Sequence, residues 1–296
     1  MPTMKVCVIG GMNTDIIGTP ENELLLRDSN IGRVTVRPGG VGRNIAENLA
    51  RLGFEVQLIT VLGGGVFSDV LRARCGHSGI RLDHAVAVPD DSSGIYLCLN
   101  DHEGDMYLAL YDMRLMEALT PESIDMDAVD SSDICVLDAN ISRETLSFVA
   151  ANARVPLFAD PVSAAKCERL AGSVHRLAGI KPNLMEARML TGADSPVDCA
   201  KALVKLGAGR AFVSMGIDGM VFADKYGAGK VDVEPVRPVS TTGAGDSATA
   251  ALVAAHLMGM GAEDSAKLAC RVARITLGSP GAVSDELTLD ILKPYK

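Results

Sequence analysis

Short β-branched runs alternate with stretches of helical periodicity along most of this chain. That alternation constrains the fold more than any other feature, because it is the pattern of parallel strands joined by helical crossovers. Lys5 to Ile9 reads as a buried first strand ending at Gly10-Gly11. A helix follows from Val41, with Ile45, Leu49 and Leu52 at i, i+4 and i+7, and Gly53 is placed to stop it. Further strands are expected at Val56–Leu62, Ile134–Leu137, Val155–Ala159, Ala211–Ser214 and Met220–Ala223. Helices are expected near Arg143–Ala153, Pro196–Leu206, Asp246–Met258 and Ser265–Leu277.

Two segments break that rhythm. Arg33 to Arg37 alternates with period two and runs into Pro38-Gly39-Gly40. Gly94–Asn100 and Met106–Tyr111 form a hairpin pattern around Asp101-His102-Glu103-Gly104. These antiparallel pieces do not suit a crossover, so a small β flap beside the main sheet is expected, built from segments near 12–37 and 91–114. With no internal repeat and no low-complexity linker, residues 1–296 read as a single domain.

Composition removes several classes. The apolar fraction is 48% of 296 residues, enough to bury a large core, so a disordered chain is excluded. The formal net charge is -9 with no basic block, the wrong sign for a nucleic-acid groove or an anionic membrane surface. The apolar stretch from Ala248 to Ala262 is interrupted by His256 and is shorter than the ~20 residues of a membrane span. The seven cysteines are scattered without a C-x-x-C pair, as in a reducing compartment. No signal-peptide pattern opens the sequence, and a cytoplasmic protein is expected.

The segment Ser240-Thr241-Thr242-Gly243-Ala244-Gly245-Asp246 opens a helical run. A glycine-flanked turn lets backbone N–H groups converge, and the helix start adds the positive end of its dipole. Such a nest suits the charge on a transferring phosphoryl group. Asp246 at the helix start is expected to be held as a carboxylate by that dipole and to accept a proton from an attacking hydroxyl. An N-capping Asp after a glycine turn is the plainer alternative. No Walker A lysine follows, and Gly10-Gly11-Met12-Asn13-Thr14-Asp15 is not the Gly-x-Gly-x-x-Gly of a dinucleotide-dependent oxidoreductase.

Thr242-Gly243-Ala244-Gly245-Asp246 resembles the C-terminal signature of the ribokinase-like (PfkB-type) carbohydrate and nucleoside kinases. Pro38-Gly39-Gly40-Val41-Gly42-Arg43-Asn44 resembles their N-terminal signature, in the right order and at the right separation. The resemblance implies an α/β fold: a Rossmann-like parallel sheet flanked by helices, with a small β-sheet lid. It implies Asp246 as base, with Gly243, Ala244 and Gly245 as the anion loop. On the acceptor side it implies Asn13, Asp15, Gly39, Gly40 and Asn44, with Asn140 reaching the ribose or base. On the nucleotide side Asn183, Ser214, Gly216 and Gly219 are implied, and Glu186 for Mg²⁺ through water. ATP and Mg²⁺ follow as cofactors, a small sugar or nucleoside as acceptor, and a homodimer paired through the lid.

Ser240 stands where many family members carry an acidic residue beside an activating monovalent cation, so the resemblance supports K⁺ only through a site that has lost a charge. Ala139-Asn140-Ile141-Ser142, Asp160-Pro161-Val162-Ser163-Ala164-Ala165-Lys166-Cys167 and Tyr111-Asp112-Met113 are similar to the pseudouridine-phosphorylating members of that family. For those members the acceptor is the nucleoside's 5′-hydroxyl. Ribose, a fructose-like sugar and adenosine stay open as alternatives. Lid residues near Ser93–Tyr96 and Tyr107–Asp112 are the expected contacts for the base.

Overall fold

The computed structural model describes residues 4–88 and 94–295. In chain order its strands are β1 (Lys5–Ile9), β2 (Asn13–Pro20), β3 (Gly32–Gly39), β4 (Glu55–Ile59), β5 (Val61–Leu62), β6 (Ile80–Arg81), β7 (Val86–Ala87), β8 (Ile95–Asn100), β9 (Met106–Asp112), β10 (Ile134–Asp138), β11 (Leu157–Asp160), β12 (Leu177–Ile180), β13 (Arg210–Ser214), β14 (Met220–Asp224) and β15 (Gly227–Val231). The helices are α1 (Val41–Arg51), α2 (Gly65–His77), α3 (Met126–Asp130), α4 (Arg143–Asn152), α5 (Ala164–Cys167), α6 (Leu184–Thr191), α7 (Pro196–Lys205), α8 (Ala244–Leu257) and α9 (Ala262–Leu277).

Within the described residues nine strands form one sheet in the order β15-β14-β13-β12-β11-β10-β1-β4-β6. From β6 to β13 every pairing is parallel. The far edge, β13-β14-β15, is antiparallel, so the parallel expectation is corrected there. The cause is local: Gly216–Asp218 makes a tight turn and Gly219 closes it at φ 85°, returning the chain beside itself. β1, β10 and β11 are buried on both faces, which is why their sequences are continuous apolar runs. One core lies on the side of α1, α8 and α9, the other on that of α4 and α7.

Two strand boundaries move. The run expected at Val56–Leu62 breaks at Thr60, because Val61 and Leu62 leave the main sheet to pair with Val86 and Ala87. The strand expected from Val155 begins at Leu157 and ends on Asp160. The helix expected from Asp246 already begins at Ala244, with Gly243 as its N-cap.

A separate sheet in the order β3-β2-β8-β9 sits over the C-terminal ends of the main strands. Its cross-strand registers align Val36, Ile16, Leu97 and Leu110 in one row and Val34, Gly18, Leu99 and Leu108 in the next. The opposite face carries the row Arg37, Asp15, Tyr96 and Tyr111. Side chains alternate along a strand, so the two faces differ in chemistry: the outward one is apolar, and the one bearing Asp15 is mixed, with a second row of Thr35, Ile17, Cys98 and Ala109. Residues 91–93, the start of the expected second flap segment and including Ser93, lie outside the described residues.

Candidate active site

β1 delivers the chain to Gly10-Gly11, and the backbone there is pinned from beneath. The Gly11 amide donates to Asp138 Oδ2 at 2.8 Å, and Asp138 is fully buried at the end of β10. Burial pushes the Asp138 carboxyl above its usual range, against the hydrogen bonds that favour its ionised form. Asn140 also belongs to this knot. Its amide nitrogen donates to Asp138 at 3.1 Å, and its oxygen accepts from Lys166 Nζ at 2.7 Å. Asn140 is thereby oriented, and Lys166 stands 5.7 Å from the ring centre of Tyr111 on the small sheet.

Asp15 extends from β2 on the inward face, and Asn13 Nδ2 donates to its Oδ1 at 2.6 Å. Burial raises the Asp15 carboxyl, opposed by that hydrogen bond and by the charge of Arg43. Gly39 has no freedom to be anything larger, since a Cβ there would lie 2.3 Å from Asp15 Oδ1. Gly40 forms the N-cap of α1.

The next residues carry both an ion cluster and the link to the second signature. Arg43 is buried, donates to Glu47 at 2.5 Å and to the Pro38 carbonyl at 2.8 Å, and also donates to Asn44 Oδ1. Glu47, wholly buried, further accepts from Arg51 and Arg74. These charges hold its carboxyl below the ordinary value despite burial. Oriented by Arg43, Asn44 donates from Nδ2 to Asp246 Oδ2 at 2.6 Å. Two motifs 202 residues apart meet in one hydrogen bond.

Asp246 sits in the first turn of α8. Gly243 adopts φ 82°, and a Cβ there would fall 2.0 Å from the Ala282 carbonyl, so only glycine makes this turn. The helix dipole does not keep Asp246 acidic, which corrects the sequence expectation. Burial, reinforced by the neighbouring charge of Asp160, pushes its carboxyl up to about 7, although Asn44, Lys181 and Arg43 oppose the shift. A carboxylate poised near neutrality is well matched to accept a proton from a hydroxyl.

Beneath the loop lie residues that sequence reasoning passed over. Lys181, buried, places Nζ 3.3 Å from Asp160 Oδ2 and 3.3 Å from where a Cβ on Gly245 would stand. Burial alone would lower this ammonium, but Asp160, Glu186 and Asp246 together hold it above the usual lysine value. Asp160 also accepts from Thr249 Oγ1 at 2.6 Å and from the Val162 amide at 2.9 Å. The available signal was position: Asp160 ends β11 and Lys181 follows β12, at the strand ends where open α/β sheets bind ligands.

On the far side, Asn183 and Glu186 form a reciprocal capping box at the start of α6, with Asn183 donating to both Glu186 oxygens at 2.9 and 2.8 Å. Burial raises the Glu186 carboxyl, and Asp160 adds to it. Asn183 also bridges Ser214 through the backbone, but it does not line the adjoining cavity. That cavity, about 550 Å³, is mostly apolar and is lined by Ser214, Gly216, Gly219, Gly245, Ala248 and Leu277 among others. Ser240 Oγ accepts from the Thr242 amide at 3.2 Å, so its hydroxyl is turned onto its own loop.

Among the described residues, no group of three or more His, Cys, Asp or Glu is disposed to hold a metal ion by itself. The chemistry still favours a cation. Asp160 raises the carboxyls of both Glu186 and Asp246, with one buried ammonium, Lys181, among the three. A hydrated divalent ion carried by phosphate oxygens fits that surplus of negative charge. No helix among the described residues is long and apolar enough to cross a membrane.

A glycine turn at a helix start, beside a near-neutral carboxylate and an apolar cavity at the C-terminal ends of the central strands, suits phosphoryl transfer to a hydroxyl. Comparison with known proteins agrees. Residues 3–289 match the model of the pfkB family carbohydrate kinases. The chain is 35% identical over 274 residues to the pseudouridine kinase of Escherichia coli (strain K12), covering 89% of this chain and 87% of that protein. It is 31% identical to the guanosine-inosine kinase of Exiguobacterium acetylicum, covering 93% and 95%. Among solved structures, a carbohydrate kinase from Agrobacterium tumefaciens superposes with a TM-score of 0.88 at 30% identity, covering 99% and 96%. This chain belongs to the pfkB family of carbohydrate kinases.

Proposed function

We propose that this kinase transfers the γ-phosphoryl group of ATP to the 5′-hydroxyl of pseudouridine, giving pseudouridine 5′-phosphate. The Asn44–Asp246 hydrogen bond carries the reading of the chemistry, because it joins the acceptor side to the anion loop in one contact. The acceptor assignment is supported by the likeness to the E. coli pseudouridine kinase and by the Asn140 and Asp160–Cys167 phrases.

Asp15 and Asn13 hold ribose hydroxyls, with Gly39 leaving room for the Asp15 carboxylate. Asn140 and Lys166, beside Tyr111, face the base. The 5′-oxygen bonds to the γ-phosphorus as the bond from that phosphorus to the β-bridging oxygen breaks. The hydroxyl proton passes to Asp246. Amides of Gly243, Ala244 and Gly245 donate to the transferring oxygens, and Lys181 adds positive charge beneath them. Glu186 would hold Mg²⁺ through water, and the ion would supply charge neutralisation of the phosphates. The apolar cavity beside Ser214, Gly216 and Gly219 takes the nucleotide base. The small sheet acts as a lid that closes over the acceptor and excludes water. Its outward apolar rows pair with those of a second copy.

The test is a panel of pseudouridine, uridine, ribose, fructose, adenosine, guanosine and inosine with ATP and Mg²⁺, read as ADP release. Pseudouridine is expected to give the highest kcat/KM. Release with ribose but not pseudouridine would remove the acceptor assignment. Preference for guanosine or inosine would favour the second reading, which the Exiguobacterium relative supports.

A further inference from the structure

Asp160 has no role in the transfer described above, yet it is tied to three separate parts of the chain around the loop. It accepts from Thr249 Oγ1 at 2.6 Å, from the Val162 amide at 2.9 Å and from Lys181 Nζ at 3.3 Å. Thr249 is one helical turn beyond Asp246 on α8, and its hydroxyl also reaches the Gly245 carbonyl at 3.2 Å. Thr249 and Asp160 are both buried, so each would carry a desolvation cost without the other. α8 has no side-chain N-cap, so its start is held by ties to other elements: Asn44 of α1 to Asp246, and Thr249 to Asp160 at the end of β11.

We propose that Asp160 is the positioning residue of the phosphoryl-transfer site: through Thr249 it fixes the first turn of α8, and through Lys181 it holds a cation beneath the Gly243–Asp246 loop. This rests on Asp246 being the base. One carboxylate at the end of a central strand thereby sets the geometry of the base and the placement of the charge under the transferred group. It also sets the electrostatics. The groups that bear on Asp246 are Asp160 from β11, Lys181 after β12, Arg43 from α1 and the Asn44 amide. Those that Asp160 itself bears on include Glu186 from α6 and Asp138 from β10. Removing the Asp160 charge takes away the repulsion on Asp246, and the base becomes more acidic.

The test compares four variants in ATP, Mg²⁺ and the best acceptor of the panel, with kcat, acceptor KM and the pH profile of kcat measured for each. Thr249→Val keeps the Asp160 charge and removes one hydrogen bond. It is expected to lower kcat about tenfold, with acceptor KM within about twofold and the acid limb unmoved. Thr249→Ser, which restores the hydroxyl, is expected to recover most of that loss. Asp160→Asn is expected to move the acid limb of kcat to lower pH by about half a unit or more. Should Asp160→Asn fail to fold because Lys181 is left unpaired, the limb of Asp160→Asn combined with Lys181→Met is read against that of Lys181→Met alone as its reference, because losing the ammonium by itself raises the Asp246 carboxyl. The proposal is overturned if Thr249→Val turns over like the wild type, if Thr249→Ser does not rescue it, or if the acid limb stays in place in a folded variant without the Asp160 charge. The base reading is tested apart from this, by Asp246→Asn: wild-type turnover there removes the base and leaves the Thr249 result to be judged on its own.

Discussion

The two walls of the site are built on opposite physical plans. The floor, at the ends of β1, β10, β11 and β12 and along α1, is buried and over-connected: Asp138, Asp160, Arg43 and Glu47 each answer to several partners, and Lys181 is paired with Asp160. The small sheet is exposed and sparsely tied, with Val34, Val36, Leu108 and Leu110 all at least half open to solvent. Its described polar links to the floor include Arg37 donating to the Pro280 carbonyl. Chemistry needs charges held in place before the reaction, and a low-dielectric floor provides that. Recognition needs a surface that admits the acceptor and then covers it, and a thin sheet suits that proposed role.

The largest break in this contrast comes from the floor. Asp246→Asn is expected to lower kcat by about 10²–10⁴-fold while acceptor KM stays near wild type, measured by ADP release. The same variant sharpens the point through stability. The Asp246 carboxyl rises from 3.8 to about 7, so the folded state binds the extra proton. Its contribution to stability is present below pH 4 and is lost as pH rises through 7. Removing the titration is therefore expected to raise Tm at pH 8 by about 2 °C or more relative to wild type, with less gain at pH 5. A lower Tm at pH 8 would show that burial of this charge is not a cost.

The opposite wall should fail differently. Asp15→Ala removes charge-assisted bonds of about 1.5–3 kcal/mol each, and acceptor KM is expected to rise about 10²-fold with a smaller change in kcat. Gly39→Ala drives a methyl group into the Asp15 carboxylate and is expected to reproduce part of that effect, about tenfold in KM. A kcat loss with KM unchanged in either variant would place Asp15 with the floor.

Much of this contrast was legible in the sequence, and the rest was hidden for a physical reason. Alternating strands and helices, the flap hairpin and the Gly243 turn were readable because each depends on local periodicity or on a glycine that only a tight turn explains, whereas the Asp15 side was implied only by the family resemblance. The Asn44–Asp246 bond was not, because it joins residues 202 positions apart. Nor were Asp160 and Thr249, which sit 89 positions apart and look like a strand end and a helix interior. At the antiparallel edge, the Ser214–Gly219 segment that the resemblance implied on the nucleotide side is in the fold a turn that also lines the cavity.

The acidity of the floor predicts a moderate effect of pH. As the proposed base, Asp246 would accept the proton only when ionised, so kcat is expected to fall about tenfold per pH unit below 7 and to level off above it. In the proposed arrangement Asp15 binds the acceptor and does not take the proton, so Asp15→Ala should leave that limb where it is. A limb that moved with Asp15→Ala would erase the distinction between the walls.

The smallest effect on turnover is expected on the outward face of the small sheet. Leu110 is 63% exposed and lies in register with Leu97, in a row that faces away from Asp15. Leu110→Asp puts a charge into the middle of that apolar face, where pairing with a second copy would have to desolvate it. Light scattering is expected to show a dimer for the wild type and a monomer for the variant. Because Asp246 and Asp160 are anchored to the main sheet, kcat is expected to stay within about twofold, while acceptor KM rises less than in Asp15→Ala. A wild-type monomer would remove the pairing, and a collapse of kcat in Leu110→Asp would mean that the exposed wall also holds the chemistry in place.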